Sequence, residues 1–350
     1  MKVALIELDN SPHDVNLYSQ IMFLRSIPDT CITLIISEAL KKRIEIYTDL
    51  VENVHFVENK MQLLDLLKLR KHLVSEHYDK AIFNTAHGNL IRTLVTLPFP
   101  SYMEFIGISH YPDKFKSSFS QKLISKRVKK YFLLNDYLLQ NLSYQPKLDI
   151  RTIYFIYYPD FLKKKIRKMK DDIWICIPGT VELGRRDYQG LLKAIGKNKL
   201  DNRIKFILLG SSQDRIEDAT AIKDMISEFG LTDHFKLWDN FVGNEEFYSY
   251  IRESDFIMPL IHFNHESFDI YKNQISGAFN LAFGFKKMLL MDVNFNQYDD
   301  FKDNSIFYGT ENMFEIINNL KITDNQNLYQ ENKWDFDFQA TKYWELINAS

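Results

Sequence analysis

Short apolar runs alternate with helical stretches along almost the whole chain, and this alternation most limits the fold. Val3–Leu8 opens the chain as an apolar run, and a helical stretch around Asn16–Arg25 follows it. Further strand-like runs are Ile32–Ile36, Val54–Val57, Lys80–Phe83, Phe105–Ile108, Tyr131–Leu134 and Thr152–Tyr157. The leucine spacing of Met61–Val74 makes it the clearest helix between them. Strands separated by helices predict an α/β fold, a parallel sheet with helices on both faces. In such sheets ligands bind at the loops that follow the strand C-termini.

The pattern breaks at Tyr158-Pro159-Asp160 and the lysine-rich run Phe161–Lys170, then restarts from Asp171. Strands are expected at Ile173–Ile177, Phe206–Leu209, Phe235–Leu237, Phe256–Leu260, Met288–Met291 and near Ser305–Phe307. Helices are expected at Tyr188–Ile195, Ile216–Phe229 and Glu245–Arg252. A chain of 350 residues accommodates two domains at roughly 150 residues each. The division is therefore a domain at 1–160, a second at 171–330 and a C-terminal segment, 331–350. That segment carries a helix, Phe336–Ile347, expected to return to the N-terminal domain. Trp334, Phe338, Tyr343, Trp344 and Ile347 hold too much apolar area for a free tail.

With 45% hydrophobic and 26% charged residues the composition is that of a soluble protein with real cores. A net charge of −2 gives no bulk attraction for nucleic acid. Cys31 and Cys176 each lie in an apolar run and read as free core thiols of a reducing compartment. The start, MKVALIELDN, turns polar too soon for a signal peptide, and no apolar run reaches membrane-spanning length, so the expected location is cytoplasmic.

The post-strand loops of the first half carry histidines: His13-Asp14, His87 in Asn84-Thr85-Ala86-His87-Gly88, and His110 in Ser109-His110-Tyr111. A single loop histidine is more often a cap. Three on one sheet edge suit proton transfer near neutral pH, with His110 first and His13-Asp14 or His87 behind it. No pair has metal-ligand spacing on one helix face, so no metal site is expected. From Lys114 to Lys130, Lys116, Lys122, Lys126, Arg127 and Lys129 interleave with Phe115, Phe119, Leu123 and Val128. This reads as an amphipathic surface helix packed on the sheet; the rival reading is a peripheral membrane contact with anionic head groups.

Tyr271–Asp292 reads as a loop, a helix from Ser276-Gly277, a basic Lys286-Lys287 end and an apolar strand. Ser276 stands as N-cap, and Gly277 bares the backbone of the first turn, where N–H groups and the helix dipole favour an anion. The competing reading is an ordinary buried helix with a serine cap.

The second half resembles the C-terminal domain of GT-B-fold glycosyltransferases, of the group 1 or family 4 type. An ordered series carries the resemblance over roughly residues 173 to 292. Ile177-Pro178-Gly179-Thr180 through Arg185-Arg186-Asp187-Tyr188 is similar to the family's first strand-to-helix loop. Phe206-Ile207-Leu208-Leu209-Gly210 resembles the next strand and its glycine, and Asp255–Leu260 the Asp-strand-Pro segment. The Ser276-Gly277 helix then falls where the family has its donor-binding helix. The resemblance implies two facing Rossmann-like domains, an N-terminal acceptor domain and a C-terminal nucleotide-sugar donor domain. It also implies metal-independent transfer of a sugar to a glycan or lipid-linked acceptor, with no cofactor beyond the donor, in cell-surface polysaccharide or glycoconjugate synthesis. Gly179, Thr180, Arg185, Arg186, Gly210, Glu266, Asn273, Ser276 and Gly277 become the donor-binding candidates.

The chain also departs from the family. Where many retaining members have two glutamates, it has Asn273 and Leu281, and Thr180 replaces the arginine that often follows the loop glycine. Glu266 or Asp269 are the candidate substitutes for the first carboxylate. The one Asp-x-Asp, Asp335-Phe336-Asp337, reads as a helix start. Two alternatives stand beside the transferase: a non-catalytic GT-B-like binding protein and a nucleotide-sugar epimerase.

Overall fold

The computed structural model describes residues 1–9, 13–142, 147–212, 215–322 and 328–349, the Asp14 side chain excepted. Two compact units emerge: Met1–Tyr158 with Asn332–Ser350, and Pro159–Glu331.

Unit 1 holds β1 (Lys2–Glu7), β2 (Cys31–Ser37), β3 (Asn53–Val57), β4 (Lys80–Phe83), β5 (Glu104–Ser109), β6 (Lys130–Leu134) and β7 (Asp149–Ile153). They form one parallel sheet in the order β3-β2-β1-β4-β5-β6-β7. β1 is central: Ile6 pairs with Ile35 on one side and Phe83 on the other. Val3, Ala4, Leu5 and Ile6 are fully buried, as expected of a strand covered on both faces. Helices Leu63–Ser75, Gly88–Thr96 and Phe119–Arg127 bury Leu66, Leu69, Ile91, Leu94 and Ile124 in the core on one face.

The C-terminal helix, Phe336–Asn348, belongs to unit 1. Tyr343 is fully buried and stacks on Phe132, with ring centroids 4.8 Å apart, and the Gln339 Oε1 accepts the Tyr154 N–H at 3.1 Å. Two aromatics assigned to this packing from sequence, Phe338 and Trp344, remain exposed. They lie on the outward side of a helix whose inward side is Gln339, Ala340, Tyr343, Leu346 and Ile347.

The Lys114-to-Lys130 stretch is two helices rather than one. Ser118 leaves the helical region and its Oγ accepts the Gln121 N–H at 3.2 Å, so it ends Lys114–Ser117 and caps Phe119–Arg127. Phe115, Ile124 and Val128 are buried, whereas Phe119, expected on the packed stripe, is 73% exposed.

Unit 2 holds β8 (Ile173–Pro178), β9 (Ile204–Ser211), β10 (Phe235–Trp238), β11 (Phe256–Ile257), β12 (Met288–Asp292) and β13 (Ser305–Tyr308), parallel in the order β10-β9-β8-β11-β12-β13. The lysine-rich segment before β8 is irregular but tied down. Arg252 donates to the carbonyls of Pro159 (2.7 Å) and Leu162 (2.5 Å), and the Lys164 N–H donates to Ser249 Oγ at 2.7 Å. The short loop expected before Ser276 is partly a helix, Glu266–Lys272, so Glu266 and Asp269 stand on a helix and not in a loop. Among the described residues no helix is long and apolar enough to cross a membrane.

Candidate functional site

Each sheet reverses its winding at one place. In unit 1 the chain runs outward from β1 through β2 to β3, then returns to start again at β4 on the other side of β1. In unit 2 it runs from β8 through β9 to β10, then restarts at β11 beside β8. The loops leaving two such strands diverge to opposite faces and open a crevice at the C-terminal edge of the sheet. The polar candidates of both units gather there.

In unit 2 the loop after β8 folds upon itself. Gly179 has φ +105°, and a Cβ built on it would lie 2.6 Å from the Arg186 guanidinium, so glycine satisfies both backbone and packing. Arg186 is only 6% exposed. Its guanidinium donates to the carbonyl oxygens of Pro178 and, at 3.4 Å, Thr180, and its Nε has no partner. No carboxylate of the described residues pairs with it. A buried cation without a counter-charge is costly, so this pocket is electrostatically prepared for an anion. Gly210 belongs to the same loop junction: a Cβ there would fall 2.0 Å from the Gly179 carbonyl oxygen. Arg185, by contrast, is half exposed and pairs with Glu182 at 3.3 Å.

The loop is anchored from the other side of the crevice. The Asp187 N–H donates to the Leu260 carbonyl at 3.0 Å. One carboxylate oxygen caps helix Tyr188–Ile195 through the Gly190 N–H at 2.8 Å. The other accepts from His262 Nδ1 at 2.7 Å, and the Tyr308 hydroxyl donates to His262 Nε2 at 3.0 Å. Burial works against the Asp187 carboxylate, but His262 and the Gly190 N–H hold its pKa below the usual value. Sequence reasoning missed His262 and Tyr308; their only signal was a histidine just past a short buried strand.

Ser276 occupies the N-cap of helix Gly277–Gly284 and is 2% exposed, yet its side chain makes no capping bond. Beyond its chain neighbours and its own helix backbone, no atom lies within 4 Å of the point a Gly277 Cβ would take. The space beside Gly277 is thus open and Gly277 is exposed, whereas the Phe279 N–H already donates to the Ser276 carbonyl at 3.0 Å. This helix packs on β8, β11 and β12 and runs against the strands, so its start shares their C-terminal edge with Arg186. No hydrogen bond or ion pair of the described residues joins Arg186 to Ser276 or Gly277. Glu266 lies against the Gly184 backbone, 3.1 Å from where a Cβ would be. Asn273 closes helix Glu266–Lys272 through its backbone N–H to Ile270.

In unit 1 the crevice centres on a residue overlooked in the sequence, Glu7, the last residue of β1 and fully buried. Its carboxylate accepts from Asn84 Nδ2 at 2.6 Å, Thr85 Oγ1 at 2.7 Å and the Asp9 N–H at 2.8 Å. Burial nevertheless raises its pKa to about 7. The available signal was an acid ending an otherwise apolar central strand. His13 Nδ1 lies 3.0 Å from Thr85 Oγ1 and its ring stacks on His110, with centroids 3.9 Å apart. His110, the first choice from sequence, is 2% exposed and bonds through Nε2 to the Asn84 carbonyl at 2.7 Å. His87 stands edge-on to Tyr111 at 5.1 Å. Burial, then Lys114 and His13, lower its pKa to about 4. Only the backbone of Asp14 is described, within the turn Asp14–Asn16.

Solved structures match this architecture along its whole length. A glycosyltransferase from Rickettsia africae ESF-5 aligns over 100% of this chain and 99% of its own, with a TM-score of 0.66 and 13% identity. The chain has the GT-B fold. The UDP-GlcNAc 2-epimerase from Methanocaldococcus jannaschii matches this GT-B chain over 100% of both, with a TM-score of 0.62 and 13% identity. The UDP-GlcNAc 2-epimerase from Neisseria meningitidis, bound to UDP-GlcNAc, gives the same coverage and TM-score at 14% identity. No protein-family model matches the chain, and no curated protein sequence does.

Proposed function

We propose that this GT-B protein is a metal-independent glycosyltransferase that moves a sugar from a nucleotide-diphosphate donor to a glycan or lipid-linked acceptor. One observation carries the reading: Arg186, a buried guanidinium with an unpartnered Nε and, among the described residues, no carboxylate partner, at the switch point of unit 2. A diphosphate would supply the missing charge. In transfer, the bond from the sugar's anomeric carbon to the diphosphate oxygen breaks and negative charge grows on that oxygen. Arg186 and the exposed helix start at Gly277 suit that charge as fixed donors. The acceptor hydroxyl attacks the same carbon and loses its proton to a general base; of the unit-1 histidines that are candidates from sequence, His13 is more accessible than His110. A lipid-linked acceptor suits the exposed Phe119 flanked by the exposed Lys122 and Lys126.

A second reading, a nucleotide-sugar epimerase, is favoured by the several UDP-GlcNAc 2-epimerases among the structural matches. The experiment is titration of UDP, GDP and ADP by calorimetry into the wild type and Arg186→Ala, followed by incubation with the corresponding sugars. A charge-assisted contact is worth roughly 1.5–3 kcal/mol, so Arg186→Ala should weaken binding by about tenfold to a hundredfold or more. Slow donor hydrolysis supports the transferase, and conversion to an isomeric donor without acceptor supports the epimerase. Binding with neither reaction leaves a non-catalytic binding protein, and equal affinity in the variant overturns the donor site.

A further inference from the structure

The unit-1 network orders its hydrogens in one direction. The Tyr343 hydroxyl donates to Gln20 Oε1 at 3.2 Å, which turns the Gln20 amide nitrogen toward Asn84 Oδ1 at 2.6 Å. Asn84 must then present its own amide nitrogen to Glu7, and it does so at 2.6 Å while also reaching the His13 carbonyl at 3.0 Å. Thr85 has a single hydroxyl hydrogen, and it goes to the Glu7 carboxylate, which in its ionised form can only accept. The Thr85 oxygen can then meet His13 only as an acceptor, so the hydrogen on that 3.0 Å contact belongs to Nδ1 of His13. In a neutral imidazole this leaves the lone pair on Nε2.

We propose that Glu7 and Thr85 are positioning residues that fix the Nδ1–H form of His13 and so hold Nε2 as the proton-accepting nitrogen. The proposal rests on the reading that a unit-1 histidine serves as base, and it names what prepares that base. Packing alone does not explain the arrangement. An apolar residue at position 7 would fill the end of β1 without burying a carboxylate that then requires three donors. The stacked neighbour shows the same device: the Asn84 carbonyl can only accept, so His110 carries its hydrogen on Nε2. The two parallel rings therefore have opposite tautomers.

The test reads the tautomer directly, by nitrogen-15 NMR of histidine-labelled protein at pH 8, with His13→Asn assigning the signals. The wild type should show His13 protonated at Nδ1. Thr85→Val keeps the shape and removes the hydroxyl, and should move the hydrogen population toward Nε2. Thr85→Ser should restore the wild-type form. Glu7→Gln should keep the wild-type form, because its amide oxygen can take the place of Oε2, which faces both Asn84 Nδ2 and Thr85 Oγ1. With a turned-over donor, kcat should fall by roughly tenfold or more in Thr85→Val while the donor KM stays within about twofold. His13 retaining Nδ1–H in Thr85→Val overturns the proposal, even if Glu7→Gln fails to fold. Failure of Thr85→Ser to restore the form overturns it too. If no nucleotide sugar is turned over, the base reading falls, while the tautomer result still decides this inference.

Discussion

His13 and His110 stack ring upon ring, 3.9 Å between centroids and 10° from parallel. Two protonated imidazoles could not share that geometry, since like charges in contact and out of water repel strongly. Burial first, and then the neighbouring His13, hold the His110 pKa well below its ordinary value.

His110 and His87 predict an acid limb of stability. The His87 pKa is about 4 in the folded protein against 6.5 unperturbed, so between those values the unfolded chain binds more protons. The stability these groups contribute is therefore complete above pH 6.5 and declines as pH falls toward 4. Urea unfolding at pH 7.5, 5.5 and 4.5 should show the loss, and His87→Asn should reduce its slope. An unchanged slope would mean His87 titrates normally.

Glu7 has the opposite sign. Its folded pKa of about 7 exceeds the ordinary carboxyl value of 4.5, so the folded state binds more protons within that window and stability falls as pH rises through it. The stability of Glu7→Gln relative to wild type should therefore increase from pH 4.5 to 7, by on the order of 3 kcal/mol. A difference that stays constant across the window would show that burial does not govern this carboxylate.

Three glycines of unit 2 should separate structural need from ligand access. Gly210→Ala forces a methyl to within 2.0 Å of the Gly179 carbonyl, and Gly179→Ala meets both φ +105° and the Arg186 guanidinium. Each should cost about 1–3 kcal/mol in unfolding measurements. Beyond its chain neighbours and its own helix backbone, Gly277→Ala meets nothing within 4 Å and should not destabilise. Its methyl would instead crowd the open helix start and weaken nucleoside diphosphate binding, measured by calorimetry. Unaltered affinity there would leave Arg186 as the anion contact of this pair.

The C-terminal helix should prove integral to unit 1. Tyr343 is fully buried between Phe132 and Phe23 and reaches Gln20. Tyr343→Phe removes one buried hydroxyl bond and should cost about 1 kcal/mol, whereas Tyr343→Ala should cost roughly 3–5 kcal/mol. A thermal unfolding midpoint unmoved by Tyr343→Ala would contradict the packing described.

What the sequence determined by itself was local and periodic. Apolar runs such as Val3–Leu8 and Ile173–Ile177 mark β1 and β8 because a strand buried on both faces cannot carry polar side chains along its length. The Tyr188–Ile195 helix matches its expected bounds because apolar side chains recur at helical spacing after an aspartate that caps it. Strand order, and hence the two switch points, came only with the tertiary structure, since pairing joins residues far apart in sequence. That long-range placement made Glu7 the centre of the unit-1 site, although nothing near it in sequence distinguishes it from a strand-end acid. It also buried Arg186 and left Arg185 exposed: adjacent side chains entering a helix point in different directions, and only the packed neighbours decide which is enclosed.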